Sequence, residues 1–532
     1  MGKVYLLDCT LRDGGYINDW KFGEKNILSI ISKLEQTGIE MIEVGFIKGN
    51  IYDPNRTIFP DVATTKNVLL QKNPHVTYVG MIDMNAPVTL DKIPKNNGKY
   101  IDGIRVIFKR NKINEAYDMC MHIKKAGYKV FANFVCTDTY SDKEFIEGLE
   151  KFNKINPDGI AIVDTFGTIK KRQFERLVAI ADNNLNAKIM LCYHAHNNLQ
   201  QAYGNAETMV EMNMKRDIVI DACVFGMGRG AGNLNLELFA EYMNDYYGKK
   251  YKIAPMLEIM DEFLSDFYKK NFWGYSLPLY ISATHGCHPN YAIYLAQKNT
   301  LSEKAFNELL RGISNKDKLE YSKEKAEKYY KAYMESYVDD SSIIDYLSSE
   351  LKEKKLLLLL PGKSIEKDRE KIINEIKKGY TVILVNFYDE EFNPSYIFVG
   401  SIRRFNKIIS QHQTKIIATS NIPGHDRADY SVNYSSIVGK NNEVFDNTGL
   451  MALRFMESLG IKEICIAGMD GFSDDDTRDY YKEGFGGYHS IEVSQKNELI
   501  ANELSEISNY INMTFLTETF YNIIKNKAYH LN

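Results

Sequence analysis

The sequence lacks three features that would assign a chain to a class at once. Its seven cysteines are scattered over 532 residues without paired spacing, which argues against a disulfide framework. Its most conspicuous apolar run, Leu356–Leu360, is far too short to span a bilayer. The formal net charge of -4 offers no basic field to nucleic acid or anionic lipid. We therefore expect a globular protein with no membrane span and no nucleic-acid partner.

The N-terminus and the cysteines both favour a cytoplasmic location. The chain enters an apolar run at Val4–Asp8, so the pattern of a secretory signal peptide is missing. Cys9, Cys192 and Cys223 lie in or at the ends of apolar runs, where buried thiols are expected. These features predict a reducing, cytoplasmic compartment.

Short aliphatic runs alternate with longer helical patterns from the N-terminus to about residue 224. Candidate helices such as Glu24–Thr37 and Ile113–Lys125 end at or just before a glycine, which is a usual stop signal. Eight strand–helix units predict a parallel (β/α)8 TIM barrel, and a doubly wound open sheet is the alternative. The eight candidate strands are Val4–Asp8, Met41–Phe46, Val76–Met81, Gly103–Phe108, Lys129–Val135, Gly159–Asp164, Ile189–His194 and Ile218–Val224.

The rest of the chain predicts two further parts. Helical patterns over 276–348 indicate an extension or linker, and its charged segment is typical of a solvated surface. From residue 349 to 532 alternating strands and helices predict a second, Rossmann-like α/β domain. The predicted division is therefore 1–275, 276–348 and 349–532.

The stretch around His194 and His196 carries the clearest chemical signal. On a strand, side chains two residues apart point to the same face, so the two imidazoles would aim at one place. In a TIM barrel, functional groups gather at the carboxyl ends of the strands, where Asp13 and Asn233 would also lie. This mixed oxygen and nitrogen set suits Mn²⁺, Mg²⁺ or Zn²⁺. Taken singly, each residue could equally be structural.

Three separated motifs resemble the DRE-TIM metallolyase superfamily, with the 4-hydroxy-2-oxovalerate aldolase branch nearest. They are Thr-Leu-Arg-Asp-Gly at 10–14, His-Ala-His-Asn-Asn at 194–198 and Gly-Met-Gly-Arg-Gly-Ala-Gly-Asn at 226–233. The resemblance covers about residues 1–300. It implies a divalent metal, Mn²⁺ first and Mg²⁺, Co²⁺ or Zn²⁺ as alternatives, held by Asp13, His194 and His196. Asn233 would be a further ligand or would support one.

The resemblance also implies the chemistry. Arg12 would face the enolate oxygen that develops when a 2-oxo acid and an aldehyde are separated or joined. Glu43, Arg105 and Asp164 are predicted to bind substrate, although Asp8 and Glu43 could instead fill the barrel and pair with an arginine. A homo-oligomer is also expected.

One position departs from the family pattern. The related aldolases have a histidine three residues after the metal aspartate as the favoured base, and here that position is Tyr16. A phenol with an ordinary pKa near ~10 is a poor base at neutral pH. Either another group accepts the proton, or Tyr16 acts as an acid or hydrogen-bond donor. Tyr291 is the candidate for the tyrosine that these aldolases use beyond the barrel.

A Schiff-base mechanism is another route to aldol chemistry, and it requires a desolvated lysine at a strand end. Lys48 and Lys109 follow the second and fourth candidate strands, but their neighbours suggest solvated side chains. The metal route is therefore preferred.

The second domain carries weaker signals. Pro-Gly-Lys-Ser at 361–364 follows a strand but lacks the first glycine and the spacing of a P-loop. The patterns at 447–449 and 468–471 weakly resemble bacterial sialyltransferase-type glycosyltransferases and related surface-polysaccharide proteins. That resemblance implies a nucleotide or nucleotide-sugar ligand, with Asn386, Asn447 and Asp470 as candidates. A domain that serves only as a scaffold is the alternative.

Together these features predict a divalent-metal-dependent aldolase with a possible role in surface-polysaccharide synthesis. Two alternatives remain open. The first is a Claisen-type enzyme that condenses an acyl-CoA, disfavoured because the glutamate or glutamine expected near Tyr16 is missing. The second is a nucleotide-sugar-binding or glycosyl-transfer protein with a vestigial barrel.

Overall fold

The computed structural model describes residues 2–298, 300–410, 414–439, 441, 443–473, 479–480 and 492–521. The chain divides into two compact units, Met1–Pro289 and Asn290–Asn532. That division falls inside the predicted extension of 276–348, so the predicted three-part division stays a prediction. None of the helices in these described ranges is long and apolar enough to cross a bilayer.

The first unit is a closed barrel of eight parallel strands, as predicted, and not the open sheet. Each strand pairs with the next, and the first pairs with both the second and the last, which closes the barrel. A two-residue strand, Ile58–Phe59, adds to the edge of the second. The barrel strands are β1 Val4–Asp8, β2 Met41–Ile47, β3 Thr77–Asp83, β4 Gly103–Phe108, β5 Lys129–Phe134, β6 Gly159–Asp164, β7 Met190–Ala195 and β8 Ile218–Ala222.

Helices connect most of the barrel strands, but not all of them. After β2 and β3 the connections contain only the short 3₁₀ turns Ala63–Asn67 and Leu90–Lys92 among their described helical elements, so the predicted regular alternation is incomplete there. A π-helical segment at Met260–Leu264 separates two short α-helices near the end of this unit. The α-helices of this unit are α1 Glu24–Thr37, α2 Ile113–Lys125, α3 Asp142–Asn153, α4 Lys171–Asn184, α5 Ala202–Glu211, α6 Leu236–Tyr247, α7 Ala254–Ile259, α8 Ser265–Lys270 and α9 Leu277–Thr284.

Local sequence explains where these helices begin and end. Ser141 caps α3 through a capping box with Glu144, in which each side chain accepts from the other residue's backbone N–H. Gly38 ends α1 in the left-handed conformation at φ 84°, which a residue with a Cβ adopts only at a cost. The sequence therefore fixes these helix ends locally.

Side chains along the barrel strands alternate between two packing environments. One set of side chains packs between the barrel and its helices, and the other points into the barrel. The inward apolar set is Leu7, Cys9, Met41, Val79, Phe131, Ala161, Val163, Cys192, Val219 and Cys223. The three thiols predicted to be buried are buried.

The second unit contains an open sheet of seven parallel strands, in agreement with the predicted α/β domain. Five strands run outward in chain order on one side, and the last two lie on the other side of the first, in the order β13-β12-β11-β10-β9-β14-β15. The strands are β9 Leu356–Leu359, β10 Thr381–Val385, β11 Tyr396–Val399, β12 Lys415–Thr419, β13 Tyr430–Val432, β14 Glu463–Ala467 and β15 Asn512–Phe515.

Eleven α-helices accompany this sheet in the described part of the chain. They are α10 Pro289–Lys298, α11 Glu303–Gly312, α12 Asn315–Lys318, α13 Lys323–Met334, α14 Ser341–Leu351, α15 Ser364–Lys367, α16 Arg369–Ile376, α17 Ile402–Ile408, α18 Tyr434–Ile437, α19 Thr448–Ser458 and α20 Val493–Ile507.

Candidate metal centre

Three of the predicted ligands meet at one point at the carboxyl end of the barrel. Asp13, His194 and His196 each offer a ligand atom, and these atoms lie within 4.8 Å of one another. Nε2 of His194 is 3.9 Å from Oδ1 of Asp13, and Nδ1 of His196 is 3.8 Å from Oδ2. All three residues are buried. The spacing of two residues on β7 thus turns both imidazoles toward the loop after β1.

The protonation states of these groups fit a divalent cation. Nδ1 of His194 lies 3.0 Å from Oδ2 of Asp221, so it donates its proton there and leaves the lone pair of Nε2 toward Asp13. Burial lowers the pKa of His196 to about 3, and its Nδ1 has no hydrogen-bond partner among the described residues. Two imidazoles and a carboxylate are a donor set that Mn²⁺ and Zn²⁺ accept.

Asp13 is held in its ionised form by its neighbours. Burial alone would raise the pKa of Asp13, but the positive charge of Arg12 outweighs it and lowers the pKa below its usual range. A guanidinium N–H of Arg12 donates to Oδ1. The site therefore presents an ionised carboxylate beside the two imidazoles.

Asn233 supports Asp13 from the loop that follows β8. Its amide donates to Oδ2 of Asp13 at 2.6 Å, while its Oδ1 is buried and has no partner in the described residues. A backbone bridge joins Asn233 to His196. A Cβ on Gly228 would lie 2.4 Å from the Asn233 amide and 3.0 Å from Oδ2 of Asp13, so only glycine fits there. The glycine-rich segment 226–232 thus lets the backbone approach the site, and ligation by Asn233 stays a prediction.

A chain of buried opposite charges connects the ligands through the barrel interior. Nε of Arg12 donates to Oε2 of Glu43 at 2.7 Å, and Nη1 of Arg105 donates to the same oxygen at 3.0 Å. Nη2 of Arg105 donates to Oδ2 of Asp221, the oxygen that also holds His194. Arg12 in turn contacts Asp13, so the chain links both ends of the ligand set.

This network bears on the predicted substrate-binding residues. Glu43 and Arg105 are engaged with each other and with other barrel charges, which supports the alternative that they fill the barrel as ion pairs. Both oxygens of Asp164 accept backbone N–H groups of its own loop, from Thr168 at 2.8 Å and Ile169 at 3.0 Å. Substrate binding by these three residues stays a prediction.

Tyr16 lies on an aromatic platform formed by Trp20 and Phe46. Its ring centroid is 4.8 Å from that of Trp20 and 6.2 Å from that of Phe46. Burial raises the pKa of Tyr16, so the phenol stays protonated at neutral pH and can donate but not accept a proton. The guanidinium of Arg229 lies 5.3 Å from the Tyr16 ring centroid.

Lys48 lies on the same platform, which the sequence did not indicate. Its Nζ is 4.2 Å from the ring centroid of Phe46 and 4.7 Å from that of Trp20. Lys48 is half-buried rather than fully exposed, and this partial burial lowers its pKa. Lys109 is exposed, as expected.

Tyr291 lies in the first turn of α10, in the second unit. It is buried, and its hydroxyl lies 3.1 Å from the carbonyl oxygens of Asp317 and Glu320. Its catalytic role stays a prediction. His288 belongs to the first unit, where its ring centroid is 5.5 Å from that of Phe166 at the end of β6.

Asp221, which the sequence analysis did not single out, completes the site together with Lys48. Asp221 and Lys48 both come from strand ends, and Asp221 left a signal, because a carboxylate within the apolar run Ile218–Ala222 requires a buried partner. The partial burial of Lys48 left no signal in the sequence, since the rings beside its amine, Trp20 and Phe46, come from two separate segments. In the second unit, the candidates Asn386, Asn447 and Asp470 line one cavity.

Comparisons with known proteins agree with this site. Residues 107–258 match the family model HMGL-like. A 4-hydroxy-2-oxovalerate aldolase of Desulfitobacterium hafniense is 24% identical over 251 residues, which are 46% of this chain and 72% of that protein. A protein of the same name from Pseudoalteromonas translucida is 25% identical over 244 residues, 46% of this chain and 70% of that protein.

The solved structures extend the similarity to the whole barrel. A crystal structure of the N-terminal domain of a provisionally named aldolase from Bacteroides vulgatus matches with a TM-score of 0.50 and 25% identity, covering 58% of this chain and all of that one. The HMGL-like match at 107–258 therefore lies within the first unit, whose fold is similar to that of this aldolase domain. The similarity of this unit to the 4-hydroxy-2-oxovalerate aldolases places it among aldolase- and lyase-type proteins.

Proposed function

We propose that the barrel unit is a divalent-metal-dependent aldolase that makes or breaks the bond between a pyruvate-type 2-oxo acid and an aldehyde. The observation that carries this proposal is the convergence of Asp13, His194 and His196 within 4.8 Å at the rim of the barrel. The similarity to 4-hydroxy-2-oxovalerate aldolases supports the same reaction class. Mn²⁺ is the proposed ion, with Mg²⁺, Co²⁺ or Zn²⁺ as alternatives.

A bound divalent metal would act as a Lewis acid on the 2-oxo acid. Arg12 supplies a second positive group, because its bonds to Glu43 and Asp13 fix the guanidinium beside the ligands. Charge that develops on the enolate oxygen is therefore met by a cation that is already in place. Tyr16, protonated because burial raises its pKa, donates a hydrogen bond to a substrate oxygen.

Lys48 is the proposed proton acceptor in place of the histidine that the related aldolases have at the Tyr16 position. Its lowered pKa increases the fraction of neutral amine at neutral pH. In the cleavage direction, Lys48 accepts the proton of the substrate hydroxyl, the carbon–carbon bond breaks, and its electrons form the enolate as the aldehyde leaves. A proton then adds to the enolate carbon, so the reaction is neutral in protons.

The enolate step can be measured without knowledge of the aldehyde. The protein loaded with Mn²⁺ should exchange the methyl protons of pyruvate in D₂O, and His196→Ala should abolish the exchange. His75→Ala is the control, because this exposed histidine lies in a loop away from the site. Exchange that persists in His196→Ala would mean that other residues perform the chemistry.

The Schiff-base route is a second candidate because Lys48 is desolvated on Phe46 and Trp20. Borohydride reduction in the presence of pyruvate distinguishes the Schiff-base route from the metal route. A covalent adduct on Lys48 would establish the Schiff base, and an unmodified lysine supports the metal route. If the barrel is vestigial, we expect neither an adduct nor affinity for a divalent metal.

The aldehyde partner, a homo-oligomeric state and a cytoplasmic location remain parts of this proposal. A role in surface-polysaccharide synthesis depends on the ligand of the second unit. Screening pairs of 2-oxo acids and aldehydes for adducts would identify the substrate.

A further inference from the structure

A cavity of about 230 Å³ lies within the second unit, at the carboxyl ends of its parallel strands. Pro361 and Gly362 follow β9, Asn386 follows β10, and Gly468 follows β14, and all four line it. The strand order reverses between β9 and β14. In open parallel sheets, ligands bind at the carboxyl ends of the strands at this reversal. The cavity therefore occupies the position where this fold binds ligands.

The floor of the cavity is built by two strand ends in close contact. The N–H of Gly362 donates to the carbonyl of Gly468 at 2.9 Å, and a Cβ on Gly362 would lie 2.4 Å from that oxygen. Asp470 is tied to the same floor, because its carboxylate accepts from the N–H of Ser364 at 2.6 Å and from the Ser364 hydroxyl. Asp470 therefore shapes the floor, and its negative charge is engaged within the protein.

The candidates Asn386 and Asn447 line the same cavity. Nδ2 of Asn386 donates to Oγ1 of Thr448 at 2.8 Å, and its Oδ1 accepts from the N–H of Gly400 at 3.1 Å. Asn447 caps α19 by accepting from the N–H of Leu450. The first turn of α19, with the N–H groups of Thr448 and Gly449, thus borders the cavity, a position that favours an anion.

Three cations line the cavity, and one of them, Lys298, is paired with Glu327 at 3.1 Å. Arg404 comes from α17 and Lys496 from α20. Burial and the repulsion from Arg403 lower the pKa of Arg404 to about 10, and burial lowers the pKa of Lys496 to about 8. Nζ of Lys496 lies 3.7 Å from the ring centroid of Phe472. An anion in the cavity would stabilise both charged forms.

The carboxylates that line the cavity have partners of their own. Asp446 accepts from the hydroxyl of Tyr330, and Asp479 accepts from the N–H and the hydroxyl of Ser473. Glu443 is paired with Lys323. The pair with Lys323 offsets the charge of Glu443, whereas the neutral donors to Asp446 and Asp479 orient those carboxylates without adding positive charge.

We propose that this cavity binds a nucleoside phosphate, with Arg404 and Lys496 contacting the phosphate and the aromatic side chains of Phe472 and Tyr521 beside the base. Charge-assisted bonds to phosphate account for the two cations, and the aromatic lining suits a flat base. The volume is at the small end for ligand sites, which favours a mononucleotide portion over a dinucleotide. A free nucleotide and a nucleotide-sugar share this chemistry. The site is separate from the aldolase proposed for the barrel.

Calorimetric titration of the full chain with uridine, UMP, UDP-glucose and orthophosphate tests the proposal. UMP should bind at least about tenfold more tightly than uridine, because the phosphate adds charge-assisted hydrogen bonds. UDP-glucose binding more tightly than UMP would identify a nucleotide-sugar as the ligand, and equal or weaker binding would identify the free nucleotide. No binding of either compound at millimolar concentration would overturn the proposal.

Variants on one helix provide the matched control. Arg404→Gln should weaken UMP binding by at least about tenfold, whereas Arg403→Gln, the same change at the exposed neighbouring position, should leave it within about twofold. Lys496→Gln should act like Arg404→Gln, with far-UV circular dichroism confirming that both variants fold. Unchanged binding in both cavity variants would overturn the assignment. His196→Ala should bind UMP normally, so this result does not depend on the fate of the aldolase proposal.

Discussion

Asp221→Asn is the substitution that most directly tests how the barrel holds its metal ligands. Oδ2 of Asp221 accepts from both Arg105 and Nδ1 of His194, and the residue is buried. Burial raises the pKa of Asp221, but Arg105 and His194 outweigh it, so the carboxylate is ionised in the folded protein. Asparagine keeps one acceptor oxygen and the volume of the side chain but removes this charge.

Two losses of different size should follow. Outer partners of a ligating histidine typically contribute 10- to 100-fold in metal affinity, so the affinity should fall by about 1.4 to 2.7 kcal/mol. Removing one member of a buried ion pair costs about 3–5 kcal/mol in stability. Because Arg105 keeps its bond to Glu43 at 3.0 Å, we expect about 3 kcal/mol, the lower end of that range.

Metal titration and thermal unfolding of the same samples measure both quantities. Asp217→Asn is the control, because it is the same chemical change just before β8, at a carboxylate whose Oδ1 accepts the exposed N–H of Lys3. The control should change metal affinity by less than about twofold. If Asp221→Asn binds metal as tightly as the native protein, the bond from His194 to Asp221 does not orient the ligand, and the reasoning is refuted.

Three further predictions concern the barrel. Gly228→Ala should weaken metal binding, because its Cβ would lie 2.4 Å from the Asn233 amide. The control is Gly204→Ala in α5, where open space surrounds the added Cβ and the substitution should stabilise the fold by about 0.5–1 kcal/mol. Equal effects of the two variants on metal titration would contradict this prediction. Metal at 100 times its Kd should raise the free energy of unfolding of the barrel by about 2.7 kcal/mol, and a denaturation curve that EDTA does not shift would count against the site. Lys48→Met should lower kcat/KM for cleavage by at least about 100-fold. In the native protein the rate should rise as the pH increases through the lowered pKa of Lys48, because the neutral base forms there, and Lys48→Met should remove this rise. Lys109→Met, the control, should retain it.

Much of the barrel could be predicted because its determinants are local. Period-two apolar patterns place the strands, and glycine or serine signals place helix ends such as those of α1 and α3. The parallel arrangement then brings the strand ends to one rim, so Asp13 and His194 could be expected to meet although 181 positions separate their numbers, 194 minus 13. The short 3₁₀ connections after β2 and β3 were missed, because regular alternation was assumed there.

The sequence by itself determined which residue types stand at the barrel rim. The motifs at 10–14, 194–198 and 226–233 supplied the donor set and the glycines that let the backbone approach it. For the second unit, the sequence named Asn386, Asn447 and Asp470, and the structure places them in one cavity. Their roles as supports of its floor and wall could not be predicted, because these depend on hydrogen bonds to Ser364, Thr448 and Gly400.

Only the tertiary structure decided the electrostatics of the metal centre. The state of a buried group depends on desolvation and on charges that distant strands bring near it, and neither is written in its local sequence. Lys48 became a candidate base because its amine lies against the rings of Phe46 and Trp20 and is partly buried there. Asp221 became the support of His194 because β7 and β8 pair in parallel and present both side chains to the same interior. The identity of the ligands is thus local, whereas their protonation and orientation are properties of the closed barrel.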